Sequence, residues 1–126
     1  MKAVVYDAGV LIAADRSKRR VWAEHRIRLE AGLIPMVPAS VVAQVSRSAK
    51  QAQMRRLLRG CEVVAFDDAA AHAAGALLGK TRTRDVVDAS VVELSIRKAA
   101  DIVSDDADDI RRLLAAANAK TSILDL

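Results

Sequence analysis

Apolar residues in this chain fall in short unbroken runs, each bounded by polar or turn residues. Five of them read as strands: Ala3–Tyr6, Ile34–Val37, Glu62–Phe66, Asp101–Ser104 and Ser122–Leu124. Unbroken apolarity, unlike strict alternation, is the pattern of strands buried on both faces, as in a parallel sheet covered by helices. The stretches between carry helical periodicity: Gly9–Ala14 with Arg20–Ala31, Ser40–Arg59 with a break near Ser46–Ala49, Asp68–Leu78, Val86–Ala99 and Asp108–Asn118. Asp67 and Asp68 stand where an N-cap is wanted, and Gly32 and Gly60 where helices should end. The alternation predicts an α/β fold with a mostly parallel sheet of about five strands sandwiched by helices. With 126 residues, no repeat and no long linker rich in Pro, Gly or Ser, residues 1–126 are expected to form a single domain.

Open parallel sheets bind ligands beyond the carboxyl ends of their strands, where strand order reverses. Carboxylates cluster at those points. Asp7 follows the first predicted strand, and the run Ser104-Asp105-Asp106-Ala107-Asp108-Asp109 follows the fourth. Asp7 alone reads equally well as a helix N-cap, and one or two acids of the later run suit a helix N-terminus. Four carboxylates in six residues are more than a cap requires. Asp88 is more informative. On a helix from Val86, residues Val91, Val92, Ser95 and Ala99 project within about 60° of it, so it lies inside the apolar arc. Glu93 projects the other way, four residues before Arg97, as an exposed ion pair would. A carboxylate aimed inward is protonated, capped by nearby donors or neutralised by a cation. Asp85 projects to the same side and reads first as a cap, second as a ligand.

Composition narrows the chemistry. The 20 Lys and Arg against 16 Asp and Glu give a formal charge of +4, and 14 of the 20 are Arg, the side chain best shaped to fork onto phosphate. Only Tyr6, Trp22 and Phe66 are aromatic, which nearly excludes a base-stacking platform. A lone Cys61 builds neither a disulfide nor a thiolate zinc site, and fits a reducing cytoplasm; no apolar run is long enough to span a bilayer. If Asp7, Asp88 and Asp106 converge, their mutual repulsion raises their pKa values or draws in cations, and oxygen ligands alone suit Mg²⁺ or Mn²⁺. A carboxylate metal site on a basic protein points to phosphodiester chemistry.

Four motifs in register, spanning essentially the whole chain, resemble the PIN-domain nucleases, and specifically the VapC-type toxins of toxin–antitoxin pairs. They are Asp7-Ala8-Gly9-Val10-Leu11-Ile12, Val37-Pro38-Ala39-Ser40 opening a helix, Asp88-Ala89-Ser90-Val91-Val92, and Ser104-Asp105-Asp106-Ala107-Asp108-Asp109. The resemblance implies a PIN-like fold and a metal-dependent endoribonuclease. Asp7, Asp88 and Asp106 would be metal-binding acids, Asp108 and Asp85 additional ligands, and Ser104 the hydroxyl supporting the site. It further implies an RNA substrate, a cognate antitoxin that inserts into the active-site groove, and a homodimer. One position departs: where the family carries Glu, this chain has Gln44, whose amide can reach a metal but brings no charge. Three consequences are open: a competent but weaker-binding nuclease, a site in which Asp85 or Asp108 supplies the missing charge, or a module that binds RNA or an antitoxin-like partner without cleavage. A phosphoacceptor receiver-type domain also clusters acids at strand ends, but it would want a Lys after the last strand, where this chain has Leu124-Asp125-Leu126.

The remaining chemistry-bearing residues read mostly as structural. The arginine runs around Arg16–Arg20 and Arg47–Arg59 read as solvated faces, whereas Arg82 and Arg84 lie close enough to Asp85 to contact RNA phosphate or neutralise the acids. His25 and His72 lack a partner at ligand spacing, Cys61 reads as a buried small hydrophobe, and Trp22 as a core residue with partner packing as the alternative.

Overall fold

Five strands join into one sheet in the order β3-β2-β1-β4-β5, with every pairing parallel. They are β1 (Val4–Tyr6), β2 (Met36–Pro38), β3 (Glu62–Val64), β4 (Asp101–Val103) and β5 (Ile123–Leu124), in a computed structural model that describes residues 1–126. Seven helices alternate with them: α1 (Ala8–Asp15), α2 (Arg19–Glu30), α3 (Ala39–Val45), α4 (Ala52–Arg59), α5 (Asp68–Thr81), α6 (Val86–Lys98) and α7 (Ala107–Ala116). The α/β sandwich expected from the sequence is therefore the observed architecture, and the sheet is parallel throughout.

Each strand is three residues or fewer, shorter than its apolar run, because flanking residues turn into helices or loops. The central strand has the expected two-sided burial: Val4, Val5 and Tyr6 are all buried, packed with Ile102 and Val103 of β4 and Val37 of β2. The third strand does not. It is an edge strand, paired only with β2 and packed by α4, with Glu62 and Val63 exposed. The break anticipated near Ser46–Ala49 is real and separates α3 from α4. Gln51 holds it, accepting from the Arg47 and Ser48 N–H groups and donating to the Val45 carbonyl. After α2 the chain turns through Gly32 at φ +80°, a conformation that L side chains rarely adopt.

Two features of this topology position chemistry. Strand order reverses at β1, whose neighbours β2 and β4 lead the chain to opposite edges, so the loops after β1 and β4 adjoin at a switch point. The register Tyr6↔Val103 sets Asp7 directly beside Ser104, and the Asp7 N–H extends the ladder to the Val103 carbonyl at 3.1 Å. Helix α6 packs along β1, β2 and β4 and leads back into β4, so its first turn stands at the sheet's carboxyl edge.

Candidate active site

Asp7 caps α1 and also looks into the switch point. Its Oδ1 accepts the Ala8 N–H at 2.8 Å, and its Oδ2 accepts the Ser104 hydroxyl proton at 2.8 Å. The Ser104 oxygen in turn accepts the Asp106 N–H at 3.1 Å. Ser104 thus ties the loop after β4 to the first-strand acid. Asp7 is only 5% exposed, and burial raises its carboxyl above the ordinary range, against the two hydrogen bonds that lower it; the charges of Asp105 and Asp106 raise it further.

Asp88 sits in the first turn of α6, half-buried, as its helical phase predicted. Burial pushes its carboxyl up to about 7, with the charges of Asp85, Asp7 and Asp109 adding to the effect. Asp85 caps α6, its Oδ1 accepting the Asp88 N–H at 3.0 Å. Asp106 is exposed at the start of α7 and makes no side-chain cap hydrogen bond, which leaves its carboxylate free.

Two predicted residues stand apart from this group. Asp108 points to solvent, its side chain 95% exposed and paired with Arg111 at 3.5 Å. The α7 acid that faces α6 is Asp109, which lines a cavity of about 230 Å³ with Asp85 and Asp88. Helix phase explains the exchange: Asp109 is one turn before the buried Leu113, whereas Asp108 falls on the outer face. Gln44 is exposed near the end of α3 and makes no hydrogen bond to any of the acids. Its helix is nevertheless fixed against α6 by a hydrogen bond between Ser40 and Ser90, one turn before Gln44 and two residues after Asp88.

Asp105, expected at this edge but without an assigned role, is also held here. Its carboxylate lies over Gly9, so closely that a Cβ at that glycine would collide with it, and of the two loop acids its charge weighs more on Asp7. Only its position in the turn, opposite a residue without a side chain, marks it out.

Several carboxylates elsewhere find cations, Asp101 with Lys2, Glu24 with Arg20, Glu30 with Arg26 and Glu93 with Arg97, while Asp15 and Asp67 accept backbone N–H groups instead. None of Asp7, Asp85, Asp88, Asp105, Asp106 and Asp109 takes part in an ion pair. A hard divalent cation suits such a donor set chemically. No three His, Cys, Asp or Glu side chains stand close enough to enclose an ion. Mg²⁺ is commonly held by one or two carboxylates together with water and substrate phosphate, so an open cluster fits it better than a closed cage would.

The other candidates are structural. His25 is buried, its Nδ1 bonded to the Tyr6 hydroxyl at 2.8 Å, and Arg28 donates to the same oxygen at 3.1 Å. Trp22 packs against the core, donates to the Ala14 carbonyl at 3.0 Å and carries the Arg56 guanidinium 4.5 Å from its ring centre. Burial pushes the half-buried Cys61 thiol up to about 12, so it stays protonated and unreactive.

No family model matches the sequence, and no curated protein matches it. Solved structures do match in shape. VapBC2 from Rickettsia felis, bound to a DNA fragment from its promoter, superposes with a TM-score of 0.73 at 14% identity, over 98% of both chains. A toxin–antitoxin complex from Klebsiella pneumoniae gives a TM-score of 0.66 at 14% identity over 85% of this chain and 89% of the other. PAE2754 from Pyrobaculum aerophilum gives 0.63 at 16% identity over 98% of this chain and 83% of the other. At these identities the likeness is one of fold: the chain has a PIN-like fold, shared with proteins of toxin–antitoxin complexes.

Proposed function

We propose that this protein is a metal-dependent endoribonuclease, the toxin of a toxin–antitoxin pair. The observation that carries the reading is a buried Asp7 without any paired cation, whose carboxyl is raised by the charges of Asp105 and Asp106 and whose own charge weighs on Asp88. Asp7, Asp88 and Asp106 would hold Mg²⁺ or Mn²⁺ as an open set completed by water and substrate phosphate, Asp85 would add charge from the helix cap, and Ser104 fixes the Asp7 carboxylate. When bound, the ion offsets charge on the phosphodiester and eases deprotonation of the attacking water. The carboxylate group accepts that proton as the water oxygen bonds to phosphorus. The phosphorus–oxygen bond to the leaving sugar then breaks, and the leaving oxygen takes up a proton. The fold shared with toxin–antitoxin complexes supports an antitoxin as the protein partner; a homodimer as the toxin's own assembly belongs to the same reading.

A second reading is favoured by the exposed, uncharged Gln44: a PIN-like module that grips RNA or an antitoxin-like protein without cutting. Incubating the purified protein with mixed RNA, with Mn²⁺ or with EDTA, separates the two. Fragments that need Mn²⁺ are expected; a salt-sensitive gel shift without fragments makes the protein a binding module. If residue 44 reaches the metal as the resemblance implies, Gln44→Glu adds a charge to its ligand set, and calorimetry is expected to show Mn²⁺ binding tightened by about tenfold, the equivalent of ~1.4 kcal/mol. Unchanged affinity places residue 44 off the metal.

A further inference from the structure

The cavity beside the acids has a second kind of wall. Across its roughly 230 Å³, Arg84 from the loop before α6 and Arg112 from α7 face the space lined by Thr83, Asp85, Asp88 and Asp109. Neither guanidinium takes part in an ion pair, although three carboxylates line the same space. This is not for want of spacing. On α7, Arg111 pairs with Asp108 three residues before it at 3.5 Å, whereas Arg112 and Asp109, at the same spacing, do not pair. Other arginines are unpaired as well, Arg55, Arg56 and Arg59 of α4 among them, but the cavity that Arg56 lines holds no carboxylate, whereas Arg84 and Arg112 stay unpaired beside three. Two forks of N–H donors left open beside unpaired acids form an anion site next to a cation site.

We propose that Arg84 and Arg112 form a clamp for an RNA phosphate adjoining the one that is cut. The clamp rests on the nuclease reading for its substrate, and on the cavity and its unpaired guanidiniums for its location. RNA is favoured over an acidic protein because the clamp opens onto carboxylates. A phosphodiester strand can lay one phosphate on a cation held there and the next on the arginines, while a carboxylate-rich peptide would meet repulsion over half the cavity. Thr83, whose hydroxyl is engaged by Thr81 at 2.6 Å, closes the near end.

Salt dependence tests this without cleavage. Binding of a fluorescent single-stranded RNA of mixed sequence is followed by anisotropy in EDTA across a salt series. The Arg84→Ala/Arg112→Ala double variant is expected to reduce the slope of log K against log salt by about 0.7, the value for one phosphate contact on a single strand, and each alanine variant to lose part of it. Arg84→Lys and Arg112→Lys keep the slope because they keep the charge, and so does Arg26→Ala, whose guanidinium is already paired with Glu30. Unchanged slopes in both alanine variants, or a wild-type protein without salt-sensitive RNA binding, overturn the clamp. So does a loss confined to binding of polyglutamate, which would make the site one for an acidic protein. A wild-type protein that binds with the expected slopes but yields no Mn²⁺-dependent fragments overturns the nuclease reading and leaves the clamp standing. Fragments with unchanged slopes do the reverse.

Discussion

Asp7→Asn and Asp106→Asn are each expected to reduce Mn²⁺-dependent RNA cleavage by more than about a hundredfold, a loss of ~3 kcal/mol of transition-state stabilisation. Asparagine is close in shape to aspartate, and at position 7 it keeps both local bonds. Its carbonyl accepts the Ala8 N–H, and its amide donates to the Ser104 oxygen, which now receives Asp106 N–H on one lone pair. The fold is therefore retained, and circular dichroism should be unaltered. What is lost is one negative charge. At Asp7 that charge is buried, hydrogen-bonded and without a counter-ion, the most constrained donor in the cluster. At Asp106 it stands on a carboxylate that makes no cap bond and so has nothing else to do at the helix start. Undiminished cleavage by both variants would remove the carboxylates from the chemistry.

How far the sequence anticipated this site depends on the range of the information needed. Local phase placed Asp88 on the inward side, where it is half-buried, but misplaced Glu93, expected in an exposed ion pair and in fact only 8% exposed beside Arg97, because α6 is covered on more than one face. Asp7 and the acids after β4 were legible from strand ends, since a parallel pair must deliver its last residues to one edge, whereas the role of Ser104 came only from the resemblance. Asp108 was named through the resemblance alone, and which of Asp108 and Asp109 faces α6 is not legible at the start of a short acidic segment, where phase is set only once Ile110 and Leu113 anchor the helix. The role of Asp105 was not legible because its closeness to Gly9 arises between residues nearly a hundred positions apart. The same holds for His25. Its partners Tyr6 and Arg28 come together when α2 docks on β1, and no sequence spacing announces the Tyr6 hydroxyl as their common acceptor and donor. Trp22, by contrast, was read correctly as core from its helix alone, though not the Arg56 that lies over its ring.

The second large effect concerns stability, and its sign is opposite to that for activity. In the metal-free protein the Asp88 carboxyl titrates near 7 instead of its ordinary 3.8, because burial and the charges of Asp85 and Asp7 disfavour its ionised form. Below about pH 4 the proton is bound in both folded and unfolded chains, and the shift costs nothing. Between those two values the folded chain holds a proton that the unfolded chain has released, so stability declines as pH rises, and above about pH 7 the full penalty is present. Unscreened, three units would be worth ~4 kcal/mol; because Asp88 is only half-buried and its neighbours are open to solvent, a penalty of about 1–2 kcal/mol is the fitting scale. Asp88→Asn removes it. In EDTA at pH 8 the variant is expected to melt about 3–8 °C above the wild type, with the gap closing towards pH 4. Saturating Mn²⁺ should raise the wild type's melting temperature and leave the variant's nearly unmoved, since the ion supplies the wild-type site with the countercharge that no side chain provides. An Asp88→Asn protein that melts at or below the wild type at pH 8 in EDTA would mean that the carboxylate is already compensated inside the fold, and a cation would have no unpaid charge to meet there.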